Sequence, residues 1–307
     1  MNSSYVLDTT VHIALLLALP PLLLGVITKI KALFAGRVGP SVLQPYYDLV
    51  KLMRKGLVIS TTTTWIFTAG PVITLVAVLL AGVLVPLSGF DAPIGFAGDL
   101  VLFAYLLALG RFFTTAAALD TGSPFEGMGA AREVTFACLA EPALFFALLV
   151  LASITGSSSL NAMLHGPMLG AWGTAAAPLV LVAVGLFVVL LAETCRIPVD
   201  DPNTHLELTM IHEVMVLDHS GPLLGVILYG AAVKLFVLCA VVLHIVAPFQ
   251  TGQAWLDWAL FVAESVALAA VIGVVESVMA RLQMRHVPTL LIAACLLCAF
   301  AFLLLLH

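Results

Sequence analysis

Apolar and polar segments alternate along the whole chain in long stretches rather than residue by residue. Eight segments of about twenty or more mostly apolar residues are separated by polar connections. At ~1.5 Å per residue, a helix of this length crosses the ~30 Å hydrocarbon core of a bilayer. The pattern predicts an all-α polytopic membrane protein that forms one membrane domain over residues 1–307. The predicted spans are residues 11–34, 64–88, 99–120, 133–155, 175–194, 222–247, 255–280 and 287–306.

The composition agrees with a membrane protein and argues against other classes. Hydrophobic residues make up 62% of the chain and charged residues 9%, whereas soluble domains carry roughly 25% charged residues. The net charge of −5 argues against a nucleic-acid partner. We therefore expect a lipid membrane around the protein and no nucleic acid. The spacing of the His and Cys residues predicts no metal site, and no nucleophile–base motif predicts a catalytic residue.

The basic residues predict the orientation of the spans. The connections after spans 1, 3, 5 and 7 lie on one side of the membrane, and ten of the twelve Lys and Arg residues fall in them or at their edges. Positive residues are enriched in cytoplasmic loops. This side is therefore predicted to be cytoplasmic, with both termini outside. The remaining two basic residues, Arg111 and Lys234, fall inside spans.

The connection between spans 5 and 6 is the most acidic part of the chain. Together with the end of span 5 it holds six of the seventeen acidic residues, namely Glu193, Asp200, Asp201, Glu207, Glu213 and Asp218. Thr204 and Glu207 match a capping box, which predicts a helix from Thr204. Apolar residues recur at helical spacing from Leu206 to Leu217. We therefore expect a loop helix that packs against the bundle.

The connection between spans 1 and 2 predicts a second loop helix. Gly36, Gly39 and Pro40 favour a turn at its start. An apolar stripe then runs from Tyr46 to Met53, with basic residues at polar positions. This pattern is typical of a helix that lies at the membrane surface.

Charged side chains inside the spans are the strongest functional signal, because each one is costly in a bilayer. Counted at ~1.5 Å per residue, Arg111 in span 3 and Glu141 in span 4 reach one level. Lys234 in span 6 and Glu264 in span 7 nearly match as well. We expect each pair to be in contact or to share one polar network. Either pair could be purely structural, but the number of titratable groups, including Glu193, favours proton transfer.

Three ordered motifs resemble one family of membrane subunits. GRVGPSVLQPYYDLVKL, at residues 36–52, resembles the first cytoplasmic loop of the respiratory complex I membrane-arm subunit next to the hydrophilic arm. DTGSPFEGMGAAREVTFACLAEP and AETCRIPVDDPNTHLELTMIHEVMVLDHSG, at residues 120–142 and 192–221, resemble loops of group 4 energy-converting NiFe hydrogenases and formate hydrogenlyase. The sequence HLELTMIHE, at residues 205–213, favours this hydrogenase branch, which includes hydrogenase-4 component C and its relatives.

The resemblance implies a non-catalytic membrane subunit of an oxidoreductase complex. Such a subunit anchors a hydrophilic redox module and couples its electron transfer to proton or sodium translocation. The implied partners are hydrogenase-like large and small (iron–sulfur) subunits and antiporter-like membrane subunits. Iron–sulfur clusters, and in the hydrogenase branch a NiFe centre, would belong to those partners, with no cofactor in this chain. The implied location is the inner (cytoplasmic) membrane.

Two sets of residues carry the implied roles at positions matching the motifs or inside the spans. The expected proton or ion relay consists of Glu141, Glu193, Asp200, Asp201, Glu207, Glu213, Arg111, Lys234 and Glu264. The expected interface with the redox module consists of Arg37, Gln44, Pro45, Arg132, Glu133 and Arg196.

Two alternative functions remain open at the level of sequence. A complex I-type quinone-binding subunit would show an apolar tunnel that opens beside Arg132 and Glu193. A free-standing secondary transporter would show inverted repeats or interrupted spans at matching positions. The sequence shows no such repeat, and its large loops favour a partner.

Overall fold

The computed structural model describes residues 3–165, 168–200 and 210–306, and these residues are mostly α-helical. Eight of the helices in this part of the chain are long and apolar enough to cross a membrane. The predicted all-α polytopic fold and its number of spans are therefore confirmed. The helices are α1 (Ser3–Phe34), α2 (Gln44–Met53), α3 (Trp65–Leu84), α4 (Asp99–Asp120), α5 (Pro124–Thr155), α6 (Leu160–Leu164), α7 (Met168–Thr174), α8 (Ala176–Glu193), α9 (Gly221–Val246), α10 (Ala254–Val278) and α11 (Val287–Leu305).

Two long helices begin eight or more residues before the predicted start of their spans. Helix α1 starts at Ser3 and α5 starts at Pro124, rather than at residues 11 and 133. Hydrophobicity marks where an apolar run begins, whereas a helix can begin in the polar residues before it. In α5 the proline occupies the first helical turn, where its missing N–H leaves no hydrogen bond unmade.

The connections gather at the two ends of the bundle. The end formed by residues 35–64, 121–123, 194–200, 210–220 and 279–286 is called the basic face here, and the other end the opposite face. At the basic face, Ser220 Oγ accepts from Val58 N at 3.2 Å. At the opposite face, the Asp99 carboxylate accepts from Leu160 N at 2.6 Å. Each face is therefore held together by contacts between different connections.

One of the two predicted loop helices forms as expected. Helix α2 begins with Pro45 in its first turn and lies against α1 and α9. Gly225 of α9 permits this approach, because a Cβ placed there would lie 3.1 Å from Met53 Cε.

The other predicted loop helix differs from expectation. Thr204 and Glu207 lie outside the described residues. The part that follows forms only a short 3₁₀ turn, Glu213–Val216, and Leu217 is exposed. Side chains accept from backbone N–H groups on both sides of this turn: Asp200 accepts from Ile211 N at 3.1 Å and Glu126 of α5 accepts from Asp218 N at 3.0 Å. These N–H groups therefore do not close the turns of a regular α-helix.

Helix α9 runs through the centre of the bundle and packs against α1, α3 and α8. Its residues 235–243 are all apolar and all buried. Lys234 and His244 flank this apolar section, which at ~1.5 Å per residue separates them by ~15 Å along the helix. The polar groups of α9 are therefore divided between the two ends of the bundle.

Candidate functional site

Arg111 of α4 lies at the centre of a buried group of carboxylates. Its guanidinium contacts Glu141 through Nη1, as predicted from the matching levels of the two residues. Arg111 Nη2 lies 2.5 Å from Glu193 Oε1, and Arg111 Nε lies 3.4 Å from Glu133 Oε1. The Arg111 side chain is only 8% exposed. One guanidinium therefore joins carboxylates from two other helices, α5 and α8.

Lys234 of α9 completes this group. Its Nζ atom lies 2.7 Å from Glu193 Oε2, so Glu193 is held between two cations. The Glu193 side chain is 5% exposed and ends helix α8. A negative charge is unfavourable at a helix C-terminus. Arg111 and Lys234 offset that cost and favour the ionised carboxylate.

The charges of this group do not balance. We call the set Arg111, Glu133, Glu141, Glu193 and Lys234 the Arg111 cluster. It has three carboxylates and two cations, which leaves one negative charge in excess when all are ionised. A cluster with surplus carboxylate in a low-dielectric interior gains stability by taking up one positive charge. Its composition therefore suits the uptake and release of a proton or another small cation.

His212 adjoins the cluster from the loop between α8 and α9. Its Nδ1 atom lies 3.4 Å from Glu133 Oε2, and its ring lies beside the Cys195 side chain. Burial lowers the pKa of His212, but Cys195 and the Glu133 carboxylate outweigh this and hold that pKa well above its ordinary value. Burial raises the pKa of the Cys195 thiol. The site thus brings together a thiol, an imidazole and a carboxylate.

Polar side chains fix the backbone on either side of His212. The Asp200 carboxylate accepts from His212 N at 3.2 Å and also contacts Arg281 Nη2 at 2.9 Å. Arg132 Nη1 donates to Met210 O at 2.7 Å. Gly129 of α5 lets this segment approach, because a Cβ placed there would lie 2.9 Å from Ile211 O. The position of His212 therefore depends on both α5 and the connection before α11.

A second ionic group lies between α1, α10 and the start of the 194–220 connection. Glu276 Oε2 lies 2.7 Å from Lys31 Nζ, and Glu276 Oε1 lies 3.2 Å from Arg196 Nη1. We call these residues the Glu276 triad. Its carboxylate is fully buried and has two cations as partners. In contrast to the Arg111 cluster, its surplus charge is positive.

A cavity of about 510 Å³ connects the two ionic groups. Apolar residues of α1, α2, α3 and α9 form one wall, with Leu24, Leu49, Leu75 and Ile227 among them. The rest of its lining includes the charged side chains of both groups: Lys31, Arg196, Arg111, Glu133, Glu193 and Lys234. The volume is within the range of sites that hold small molecules.

Glu264 lies in a different place from the one predicted. It lines a pocket of about 260 Å³ at the opposite face, together with His244 and Asp257. The expected contact between Lys234 and Glu264 is therefore wrong, since Lys234 pairs with Glu193 instead. The prediction compared only the depths of the two residues. It ignored the direction in which each side chain leaves its helix, and Lys234 points toward the end of α8.

The other predicted relay residues are distributed around the main site. Glu213 lines the cavity. Asp200 fixes the loop backbone and pairs with Arg281, so its visible contacts are structural. Asp201 and Glu207 lie outside the described residues.

The predicted interface residues separate into two groups. Arg37 is exposed at the basic face, and Gln44, Pro45 and Arg132 are partly exposed there. Glu133 and Arg196 instead lie inside the protein, where they pair with Arg111 and Glu276. Their expected place on an outer surface is therefore wrong, because buried countercharges draw both side chains inward.

Four residues that the structure brings into the site are absent from the predicted relay and interface sets: Lys31, Cys195, His212 and Glu276. For Lys31 and Glu276 a signal existed, because each charge lies at the same end of its predicted span. For Cys195 and His212 the contact depends on the loop path, which no spacing pattern encodes.

Comparisons with known proteins give a consistent picture. A family model described as NADH dehydrogenase matches residues 7–307. Hydrogenase-4 component C of Escherichia coli K12 is 34% identical over 239 residues, covering 78% of this chain and 74% of that protein. Formate hydrogenlyase subunit 4 of the same organism is 30% identical over 293 residues, covering 92% and 93%.

More distant similarities extend this picture. A subunit of the NADH-quinone oxidoreductase of Burkholderia vietnamiensis is 25% identical over 252 residues, covering 75% of this chain and 70% of that protein. A chain in the structure of the membrane-bound sulfane sulfur reductase, an archaeal respiratory membrane complex, superposes with a TM-score of 0.82. That match is 21% identical and covers 98% of this chain and 99% of the other, so it supports the fold alone.

Proposed function

Because this chain belongs to the NADH dehydrogenase family, we propose that it is a non-catalytic membrane subunit of a respiratory-type oxidoreductase complex. It anchors a redox module and couples electron transfer to the translocation of protons or sodium ions. Two relatives at 30% identity or more are a hydrogenase-4 component and a formate hydrogenlyase subunit. The partners proposed on this basis are hydrogenase-like large and small subunits with iron–sulfur clusters, and antiporter-like membrane subunits.

The Arg111 cluster is the observation that carries the coupling role. Ionisable groups inside a membrane protein are costly and are retained chiefly where they serve ion movement. The three carboxylates of the cluster have two cations on the membrane helices, and the third is matched only when the neighbouring His212 carries a proton. The charge balance of the cluster therefore depends on a titratable group. The surplus carboxylate gives the cluster a place to hold a proton. Glu133 and Glu141 are best placed for this, because Glu193 already has two cations.

The basic face supports the anchoring role. Its connections 35–64 and 194–220 are the longest ones on that side, and the apolar residues Val38, Val58 and Leu217 are exposed there. We place this face in the cytoplasm of a cell whose inner membrane holds the protein, with both termini outside. A redox module docked here would lie directly above the cavity and the two ionic groups.

A quinone-type ligand is the second candidate, and the cavity favours it. Its volume of about 510 Å³, its apolar wall and its charged end suit an amphipathic molecule. Glu193 lines it as expected for such a site, whereas Arg132 does not. A photoreactive quinone analogue that labels α1, α2 or α9 in the purified complex would support this candidate. Labelling elsewhere only would contradict it.

The anchoring role is tested by gentle detergent purification of the tagged chain, with mass spectrometry and metal analysis of the proteins that accompany it. We expect an iron-containing complex with hydrogenase-like subunits. Nickel together with iron would assign the hydrogenase branch, and iron without nickel a different redox module. An unrelated tagged polytopic protein from the same membranes is the control. Recovery of the chain alone, without iron, would contradict the proposal and favour a free-standing transporter.

A further inference from the structure

His212 is a histidine whose place in the structure is not explained by anchoring or by packing alone. Its side chain is 30% exposed, and it lines the cavity, as Cys195 and Glu133 do. We propose that His212, working with Cys195 and Glu133, is the proton-exchange site at which the cavity meets the Arg111 cluster. The site itself follows from geometry. Only the direction of proton movement rests on the proposed coupling function.

Glu133 is the bridge between the imidazole and the cluster. One carboxylate oxygen, Oε2, faces His212 Nδ1 at 3.4 Å, and the other, Oε1, faces Arg111 Nε at 3.4 Å. Both contacts are longer than a tight hydrogen bond. Such lengths are usual for proton-transfer groups at rest, which tighten when the complex turns over. A proton received by Glu133 is thus on a carboxylate that directly contacts the buried Arg111.

Cys195 lies beside the imidazole. Its backbone φ is +55°, in the left-handed region that residues other than glycine rarely adopt. Backbone conformations of this kind cluster at functional sites, where the surroundings hold them in place. Here the conformation occurs where α8 ends and places the thiol at the cavity wall, next to His212.

Glu133 of α5 is the carboxylate that pairs with His212. Behind it lie the other charges of the cluster, Arg111 of α4, Glu193 of α8 and Lys234 of α9. On the loop itself, Glu213 follows His212 in the chain, and the Asp200 carboxylate accepts from His212 N. With an imidazolium at His212, three positive charges face three carboxylates. The histidine therefore supplies the charge that the cluster lacks.

The proposed step moves one proton and no electrons. The N–H bond at Nδ1 of the imidazolium breaks and an O–H bond forms at Oε2 of Glu133. An ion pair becomes a pair of neutral groups, and Arg111 then has one fewer ionised carboxylate. The neutral imidazole is then protonated by a hydronium ion that reaches the cavity from the solvent and leaves as water. The cluster has gained one proton, which it can release farther into the membrane subunits of the complex.

The first test measures the thiol rather than activity. The purified complex is treated with N-ethylmaleimide at several pH values, then denatured and treated with an isotopically heavy form of the reagent. Mass spectrometry of the Cys195 peptide gives the fraction modified in the native state. Loss of a neighbouring positive charge raises the pKa of a thiol by about one unit, so we expect about tenfold slower modification in His212→Gln at neutral pH.

His219→Gln is the matched control. His219 also lines the cavity, but it stacks on Phe67 at 4.0 Å and its Nε2 lies 3.3 Å from Phe67 O. This variant should leave the Cys195 rate unchanged. Equal rates in the wild-type complex and in His212→Gln would overturn the proposed thiol–imidazole contact. A Cys195 that resists modification at every pH in the wild-type complex would overturn its placement at the cavity wall.

The second test measures ions moved per electron in the same variants, in sealed vesicles. We expect His212→Gln to lower this ratio about tenfold or more while electron transfer continues. A slowed thiol reaction together with a normal ratio would overturn the transfer to Glu133 but leave ion coupling by the complex intact. A wild-type complex that moves no ions would instead contradict the proposed coupling function, whatever the thiol result.

Discussion

The two ionic groups of this protein line one cavity but have opposite charge balance. The Arg111 cluster places three carboxylates around two cations, whereas the Glu276 triad places one carboxylate between two cations. The single carboxylate of the triad ties together cations from two other segments, Lys31 of α1 and Arg196 of the connection. The triad is therefore suited to fixing α1, α10 and the 194–220 connection together. The cluster, with carboxylate to spare, is suited to exchange.

Burial supports the same division. The Glu276 side chain is fully buried, whereas the Glu141 side chain in the cluster is 40% exposed. A partly exposed carboxylate can exchange protons with water or with a neighbouring subunit, and a fully enclosed one cannot do so without local opening. A charge inside a membrane domain is therefore not by itself evidence of a proton relay. Its function depends on how many partners it has and on what it can reach.

Removal of the triad's carboxylate should have the largest effect. In Glu276→Leu, Lys31 and Arg196 would remain partly buried without a counterion. Loss of one partner of a buried ion pair costs about 3 kcal/mol or more. We expect lower accumulation of the chain in the membrane and a clearly lower unfolding temperature of the purified complex. Glu276→Asp, which keeps the charge, is the control. Equal thermal stability of Glu276→Leu and the parent would contradict a structural role for the Glu276 triad.

The next largest effect should come from Glu193→Gln in the cluster. The amide keeps the shape of the side chain, and Arg111 keeps Glu133 and Glu141 as partners, so assembly should persist. Lys234 loses the ionic partner described here, and the charge balance of the cluster changes. We expect the number of ions moved per electron to fall by about tenfold or more. The ratio is measured in sealed vesicles against electron transfer in the same sample. Normal pumping by an assembled variant would exclude Glu193 from the relay.

A smaller loss of coupling is expected for Glu141→Gln. This side chain is more exposed than its neighbours, so solvent screens its contact with Arg111. A loss of roughly 0.5 to 1 kcal/mol would lower ion movement by a factor of about two to five. The same vesicle assay measures it, with subunit content as the control for assembly. Unchanged pumping would leave Glu133 as the exchanging carboxylate.

The smallest effect is expected for Glu264→Gln. This residue lies in the pocket at the opposite face, and the ion pairs among the described residues do not include it. Both assembly and ion movement should stay within about twofold of the parent, as for a substitution with no partner to lose. A strong loss of pumping would show that the pocket at the opposite face belongs to the ion path. The contrast between the two ionic groups would then be incomplete.

Much of the fold was accessible from sequence because membrane helices are specified locally. The length of each apolar run predicts a span, and Tyr46 to Met53 predicts the surface helix α2. The family resemblance read from three loop motifs is confirmed by the family match and by the hydrogenase relatives. Depth along the helix was also enough to predict the contact between Arg111 and Glu141. The long arginine side chain can reach its partner even when the direction in which it leaves the helix is not known.

The rest of the site required knowledge that no periodicity provides. Lys234 and Glu264 match in counted depth, but Lys234 pairs with Glu193 and Glu264 lines the pocket at the opposite face, so their predicted contact was wrong. The place of His212 depends on how Asp200 and Arg132 hold a loop across a long stretch of sequence. Arg196 was expected at the interface with the redox module. Its pairing with the buried Glu276 of α10 depends on tertiary packing that no motif encodes.

The dry middle section of α9 has an electrical consequence. Between Lys234 and His244, nine consecutive buried apolar residues separate the cavity from the opposite pocket by ~15 Å. Even if water filled the cavity, residues 235–243 of α9 would stay an apolar layer, and most of the transmembrane voltage would fall across this layer. At about 2.3 kcal/mol per elementary charge per 100 mV, a water wire here would short-circuit the gradient that the complex builds. In the proposed coupling role, protons gathered at the Arg111 cluster would leave sideways, into neighbouring subunits, rather than along α9.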